Sequence, residues 1–185
     1  IVALEVDAIQ HRRNLQIADL PNVHFRHGGA EAIPAVDESV DIVLMLKSLH
    51  HVPVPHMDQA LGEIARVLKP GGLAWISEPV FAGELNEVFR LFHDEKAVRE
   101  AAFAAIRQAV ATGPLHLEKQ LFFNTRSFFE NFAQFDQRMI QVTHSNHRLA
   151  PDVYRRVKEK FETYLTPEGA TFHPPQRVDL LRKAG

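Results

Sequence analysis

Apolar and polar positions alternate between two periods along this chain, and the clearest change of period falls between Asp41 and Pro79. Ile42 to Leu46 is a continuous apolar run of strand length, the pattern of a parallel strand buried on both faces. From His56 to Leu68 the spacing turns helical, because Met57, Leu61, Ile64 and Leu68 fall on one face of a 3.6-residue period. Lys69-Pro70-Gly71-Gly72 stops that helix, and Leu73 to Ile76 is apolar again, which predicts a second strand returning beside the first.

The same reading extends in both directions. Ile1 to Asp7 reads as a strand, Ala8 to Ala18 as a helix and Asn22 to Arg26 as a short strand. Beyond Pro79, Glu84 to Phe92 and Lys96 to Ala111 carry helical apolar faces, and Ser127 to Ala133 reads as a third, shorter helix. Phe135 to His144 reads as a strand with Ile140 and Val142 on one face, Ala150 to Leu165 as a helix, and Arg177 to Arg182 as a last strand. Strands alternating with helices predict an α/β fold.

Four stretches together resemble class I S-adenosylmethionine (SAM)-dependent methyltransferases of the small-molecule type that includes the quinone-biosynthesis enzymes. They are D-I-V-L-M-L-K-S-L-H-H-V with V-L-K-P-G-G-L-A-W-I-S-E-P, the acid-ended strand Ile1 to Asp7, the Gly28 to Pro34 loop, and the final strand. The resemblance implies a Rossmann-like, doubly wound, mostly parallel sheet of order 3-2-1-4-5-7-6. Ile1 to Asp7 then matches the family's second strand. No G-x-G-x-G loop of the kind that follows the family's first strand occurs in the 185 residues, so the chain is expected to be amino-terminally truncated. It is read as one domain, with a core of residues 1–79 and 135–185 and a helical insertion or lid of about 80–134.

The resemblance also assigns a site. SAM, with S-adenosylhomocysteine as product, is the implied cofactor. Asp7 would accept from both ribose hydroxyls, with Ala8 beside it and Glu5 as fallback; the residues by themselves equally support Asp7 as a helix N-cap. In the loop Gly28-Gly29-Ala30-Glu31 the family places an adenine-binding Asp where this chain has Gly29, so adenine recognition is expected to be weaker or to rest on the main chain. Leu46 and Lys47 end the strand whose loop lines the pocket. His50 or His51 there is the candidate general base, since imidazole titrates near neutrality. Neighbouring histidines in a strand would point to opposite faces, with one packing structurally.

Glu78, Phe89 and His93 are the candidate acceptor-binding residues. Thirteen phenylalanines, concentrated after residue 80, support either an apolar lid over a partly hydrophobic small-molecule acceptor or an ordinary aromatic core. Composition narrows the partners. A formal charge of -2 with scattered Lys and Arg gives no nucleic-acid footprint, and no apolar run reaches membrane-spanning length. Zero cysteines remove disulfides and thiolate sites and fit a cytoplasmic enzyme; eleven histidines show no H-E-x-x-H spacing, so no metal is expected. A non-enzymatic methyltransferase-like protein acting through a partner surface is the alternative, and a sheet edge left open favours pairing into a homodimer.

Overall fold

The computed structural model describes residues 1–142 and 148–185, which divide into two compact units. The first holds residues 1–78, 100–121 and 178–185, and the second holds residues 79–99 and 122–177. Helix α4 (Lys96–Thr112) sends Ala102, Ala105 and Ile106 into the core of the first unit, whereas 122–177 builds the second.

In the first unit β1 (Val2–Glu5) pairs in parallel with β2 (His24–His27), and α1 (Ala8–Asn14) runs between them. A second sheet has the order β3-β4-β8-β5, from β3 (Val40–Leu46), β4 (Leu68–Pro79), β5 (Leu115–Asn124) and β8 (Pro175–Lys183). β3 and β4 are parallel and joined through α2 (Met57–Val67), as the periods predict. β8 runs antiparallel to β4: Lys183 and Arg182 reach the carbonyls of Leu68 and Gly71 at one end, while Val80 donates to Pro175 at the other.

α2 forms because its apolar residues recur at helical intervals. Met57, Ala60, Leu61, Ile64 and Ala65 are buried against Ala74 and Ile76 of β4. Burying a side chain such as Leu61 or Ile64 contributes about 1.5–3 kcal/mol. The helix ends at Leu68, whose backbone is extended, and Lys69 to Gly72 bulge out between the pairs Val40–Leu68 and Ile42–Leu73. Gly71 takes φ 77, and a Cβ on Gly72 would lie 2.9 Å from the Lys69 carbonyl, so both positions of this turn favour glycine.

Three expectations change. β3 is not buried on both faces: Met45 is buried, but Ile42, Leu44 and Leu46, which alternate onto the other face, are 56%, 63% and 62% exposed, because no described element covers that face. The strand predicted at Phe135 to His144 is helical where it is described, as α5 (Phe132–Phe135) continues into a π-turn over Asp136–Ile140, while residues 143 and 144 lie outside the described residues. The sheet position that the resemblance gave to that segment is filled by β5. The helix predicted at Ser127 to Ala133 begins instead with β6 (Ser127–Phe129), which pairs antiparallel with β7 (Ala170–Phe172).

The second unit adds α3 (Glu84–Phe89) and α6 (Pro151–Glu162) around the β6–β7 pair. Its core is aromatic. Phe129, Phe132, Phe135, Phe161 and Phe172 are buried together, with ring centroids of 5.0 Å for Phe135–Phe161 and 5.3 Å for Phe129–Phe135. These phenylalanines face one another and so form a core, the second of the two readings given above.

Candidate active site

The polar candidates of the first unit collect at the carboxyl ends of its parallel strands. Asp7 follows β1 and caps α1, its Oδ1 accepting from the Ile9 N–H at 2.8 Å. A carboxylate oxygen accepts more than one hydrogen bond, so the cap by itself does not exclude a further donor. Glu5 accepts from the Asp7 N–H at 2.8 Å and holds the turn. Ala8 is the exposed first residue of α1.

The loop after β2 is tied down on two sides. Gly28 donates to the Glu5 carbonyl at 3.1 Å, and His27 Nε2 lies 3.1 Å from the Val6 carbonyl. From the other side α2 presents a polar stripe. Gln59 donates to the Glu31 carbonyl, Glu63 accepts from the Ile33 N–H at 2.9 Å, and Arg66 donates to the carbonyls of Ile33 and Ala35 and to Asp37. Arg66 also pairs with Glu63, and that hydrogen bond holds the Glu63 carboxyl below its ordinary range. Sequence reasoning missed these three bracing residues, although their spacing of i, i+4, i+7 on a helix was a usable signal.

Gly29 and Glu31 are interdependent. A side chain at position 29 would start inside the volume occupied by the Glu31 carboxylate, whose Cδ is 2.6 Å from where a Cβ would sit. Among the described residues no hydrogen bond or ion pair reaches that half-buried carboxylate. Ala30 opens the 3₁₀ turn Ala30–Ala32 between them.

β3 ends in a sharp turn. Leu46 pairs with Ser77, and Lys47 adopts φ 57 while donating to the Ser77 carbonyl at 2.7 Å. The chain then enters the 3₁₀ turn Leu49–His51. His50 and His51 are thus in a turn, and instead of pointing to opposite faces their rings lie 4.1 Å apart; His50 is buried and His51 exposed. Glu78, expected to orient an acceptor, is turned inward at 1% exposure. Its Oε1 accepts from the N–H groups of Ser48 (3.0 Å) and Leu49 (2.8 Å), and its Oε2 from His50 N–H and from the His50 ring at Nδ1.

Phe89 and His93 belong to the second unit, where their rings make an edge contact at 5.3 Å. His93 Nε2 is 3.1 Å from Glu95, which is buried and paired with Arg99, and Asp94 accepts from the Lys96 N–H at the start of α4. These contacts stabilise the entrance to α4, and Phe89 packs on Phe92.

The family model described as a methyltransferase domain matches residues 1–76. A phthiotriol/phenolphthiotriol dimycocerosates methyltransferase of Mycobacterium ulcerans is 44% identical over 54 residues, covering 29% of this chain and 19% of its own. A probable S-adenosylmethionine-dependent methyltransferase of Mycolicibacterium smegmatis is 30% identical over 128 residues, covering 65% of this chain and 45% of its own. The chain thus spans less than half the length of either relative. The crystal structure of a putative methyltransferase from Bacillus halodurans superposes over 100% of this chain and 83% of its own, with a TM-score of 0.62 at 17% identity. None of the described helices is long and apolar enough to cross a membrane. These likenesses show that the chain has the class I SAM-dependent methyltransferase fold.

Proposed function

We propose that this chain forms the cofactor-binding and catalytic part of a SAM-dependent methyltransferase acting on a small, partly hydrophobic organic acceptor. One observation carries the reading: the Asp7, Gly28–Glu31 and Lys47–His51 loops all stand at the carboxyl ends of parallel strands, inside or beside the segment that matches the methyltransferase domain. The donor set fits SAM. Asp7 offers carboxylate oxygens to a vicinal diol, and Glu31 offers an acceptor to the adenine amino group, supplying the charge that Gly29 lacks. When bound, SAM supplies a methyl carbon on a sulfonium, whose carbon–sulfur electron pair returns to sulfur as the acceptor atom bonds to the carbon.

The protein's own part is alignment, exclusion of water and proton transfer. His50 is the better candidate base of the pair, because its ring is buried and held by Glu78 whereas His51 is exposed. The apolar character of the acceptor is supported by the relative named for phthiotriol and phenolphthiotriol dimycocerosates. Calorimetric titration with S-adenosylhomocysteine tests the reading, using the chain with any flanking sequence its gene encodes. Saturable one-to-one binding is expected; no binding, with no methyl transfer to apolar hydroxyl or amine compounds, favours the non-enzymatic alternative.

A further inference from the structure

We infer that Glu78 is a positioning residue that fixes His50 as the Nδ1–H tautomer and so makes Nε2 the proton-accepting atom of the ring. The register of the sheet produces the arrangement. Leu46 pairs with Ser77 in parallel, so the next residue of β4, Glu78, lies under the turn that leaves β3. Lys47 makes that turn abrupt through its left-handed backbone, a conformation that costs a non-glycine residue about 1–2 kcal/mol. Three successive N–H groups, from Ser48, Leu49 and His50, then converge on one carboxylate, which offsets that cost.

The convergence decides the tautomer. A carboxylate that accepts from three backbone N–H groups is an acceptor towards the ring as well, so the proton between Glu78 Oε2 and His50 Nδ1 is carried by the ring. A neutral imidazole holds one proton. With it on Nδ1, the lone pair is on Nε2, whereas a histidine in water favours the opposite form. Both partners are buried, at 6% for His50 and 1% for Glu78, so water does not compete for the contact. When Nε2 takes a proton from the acceptor, the imidazolium that forms has its second N–H already on the carboxylate. A buried carboxylate with only a structural task needs the backbone contacts; the ring contact is the additional feature that the inference explains.

The tautomer stands on this geometry alone, and its use in proton transfer rests on the methyltransferase reading. The test is the long-range proton–nitrogen spectrum of histidine-labelled protein at a pH where the ring is neutral, with His50 assigned by its loss in His50→Gln. A protonated Nδ1 and an unprotonated Nε2 are expected. In Glu78→Gln, which keeps an oxygen for the backbone donors, the tautomer is expected to shift. S-adenosylhomocysteine affinity should stay within about twofold, and kcat should fall by about 10²-fold at unchanged acceptor KM. An unprotonated Nδ1 in the wild type overturns the inference, as does a ring that stays doubly protonated to pH 9, or an unchanged kcat in a variant whose tautomer has shifted. If Glu78→Gln does not fold, the wild-type spectrum decides the tautomer and His50→Gln decides its use, an unchanged kcat counting against it. Failure of S-adenosylhomocysteine to bind the wild type refutes the cofactor reading and leaves the tautomer result intact.

Discussion

The two units differ in the make-up of their apolar cores, aliphatic in the first and largely aromatic in the second. In the first, buried or half-buried polar groups hold loops: Glu78 gathers Ser48, Leu49 and His50, while Glu63 and Arg66 hold Ile33 to Asp37. In the second, the apolar core is aromatic and its rings hold one another, as Phe129, Phe135, Phe161 and Phe172 do, beside the buried polar pair Glu95–Arg99. An apolar core can be filled in many ways, whereas a carboxylate that accepts specified N–H groups fixes where a loop stands. In the first unit such carboxylates stand at the candidate site, where Glu78 fixes the turn after β3.

The largest effect expected from breaking this contrast is in the aromatic core. Phe135→Ala removes a fully buried ring and should destabilise the second unit by about 3–5 kcal/mol in denaturant unfolding, with S-adenosylhomocysteine affinity under native conditions little changed. Asp7→Asn comes next and separates two roles. Asparagine caps a helix as well as aspartate does, so the α1 cap survives, but a charged acceptor for the ribose is lost and S-adenosylhomocysteine affinity should fall about tenfold. An unchanged affinity would leave Asp7 as a cap only. Glu31→Ala should weaken binding about three- to tenfold, and adding Gly29→Asp should restore part of it, since the vacated volume then admits the new carboxylate.

The smallest expected effect is pH-dependent. Arg66 lowers the folded-state pKa of Glu63, so the stabilisation is present above the unfolded-state value and is lost as pH falls through the lower, folded one. Arg66→Met should therefore unfold a few degrees below wild type at pH 7, and the gap should close as thermal scans move down through the acid range below about pH 4. A gap independent of pH would mean that the Arg66 contacts to the carbonyls of Ile33 and Ala35, rather than its pairing with Glu63, hold the loop.

What could be read from the sequence was local. β3, α2 and β4 lie within about forty consecutive residues, each with an unbroken period, and the glycines between helix and strand are required by the turn itself. β5 was illegible because its residues are nearly all exposed and its partner β8 begins some fifty residues later. The segment beginning at Phe135 misled because Ile140 and Val142 alternate as in a strand, yet Phe132, Phe135 and Ile140 all turn to one aromatic core through a helix and a π-turn. Glu78 was visible as an acid at a strand end. Its inward direction follows from the register Leu46–Ser77, which no single strand reveals.

The proposed function places SAM at the carboxyl ends of the parallel strands of the first unit. Titrating labelled protein with S-adenosylhomocysteine while following backbone amide shifts is the decisive experiment. Saturable shifts confined to Asp7–Ala8, Gly28–Glu31 and Lys47–His51 are expected, with the amides around Phe129 and Phe161 unmoved. Shifts that appear only in the second unit, or none at saturating ligand, would contradict it.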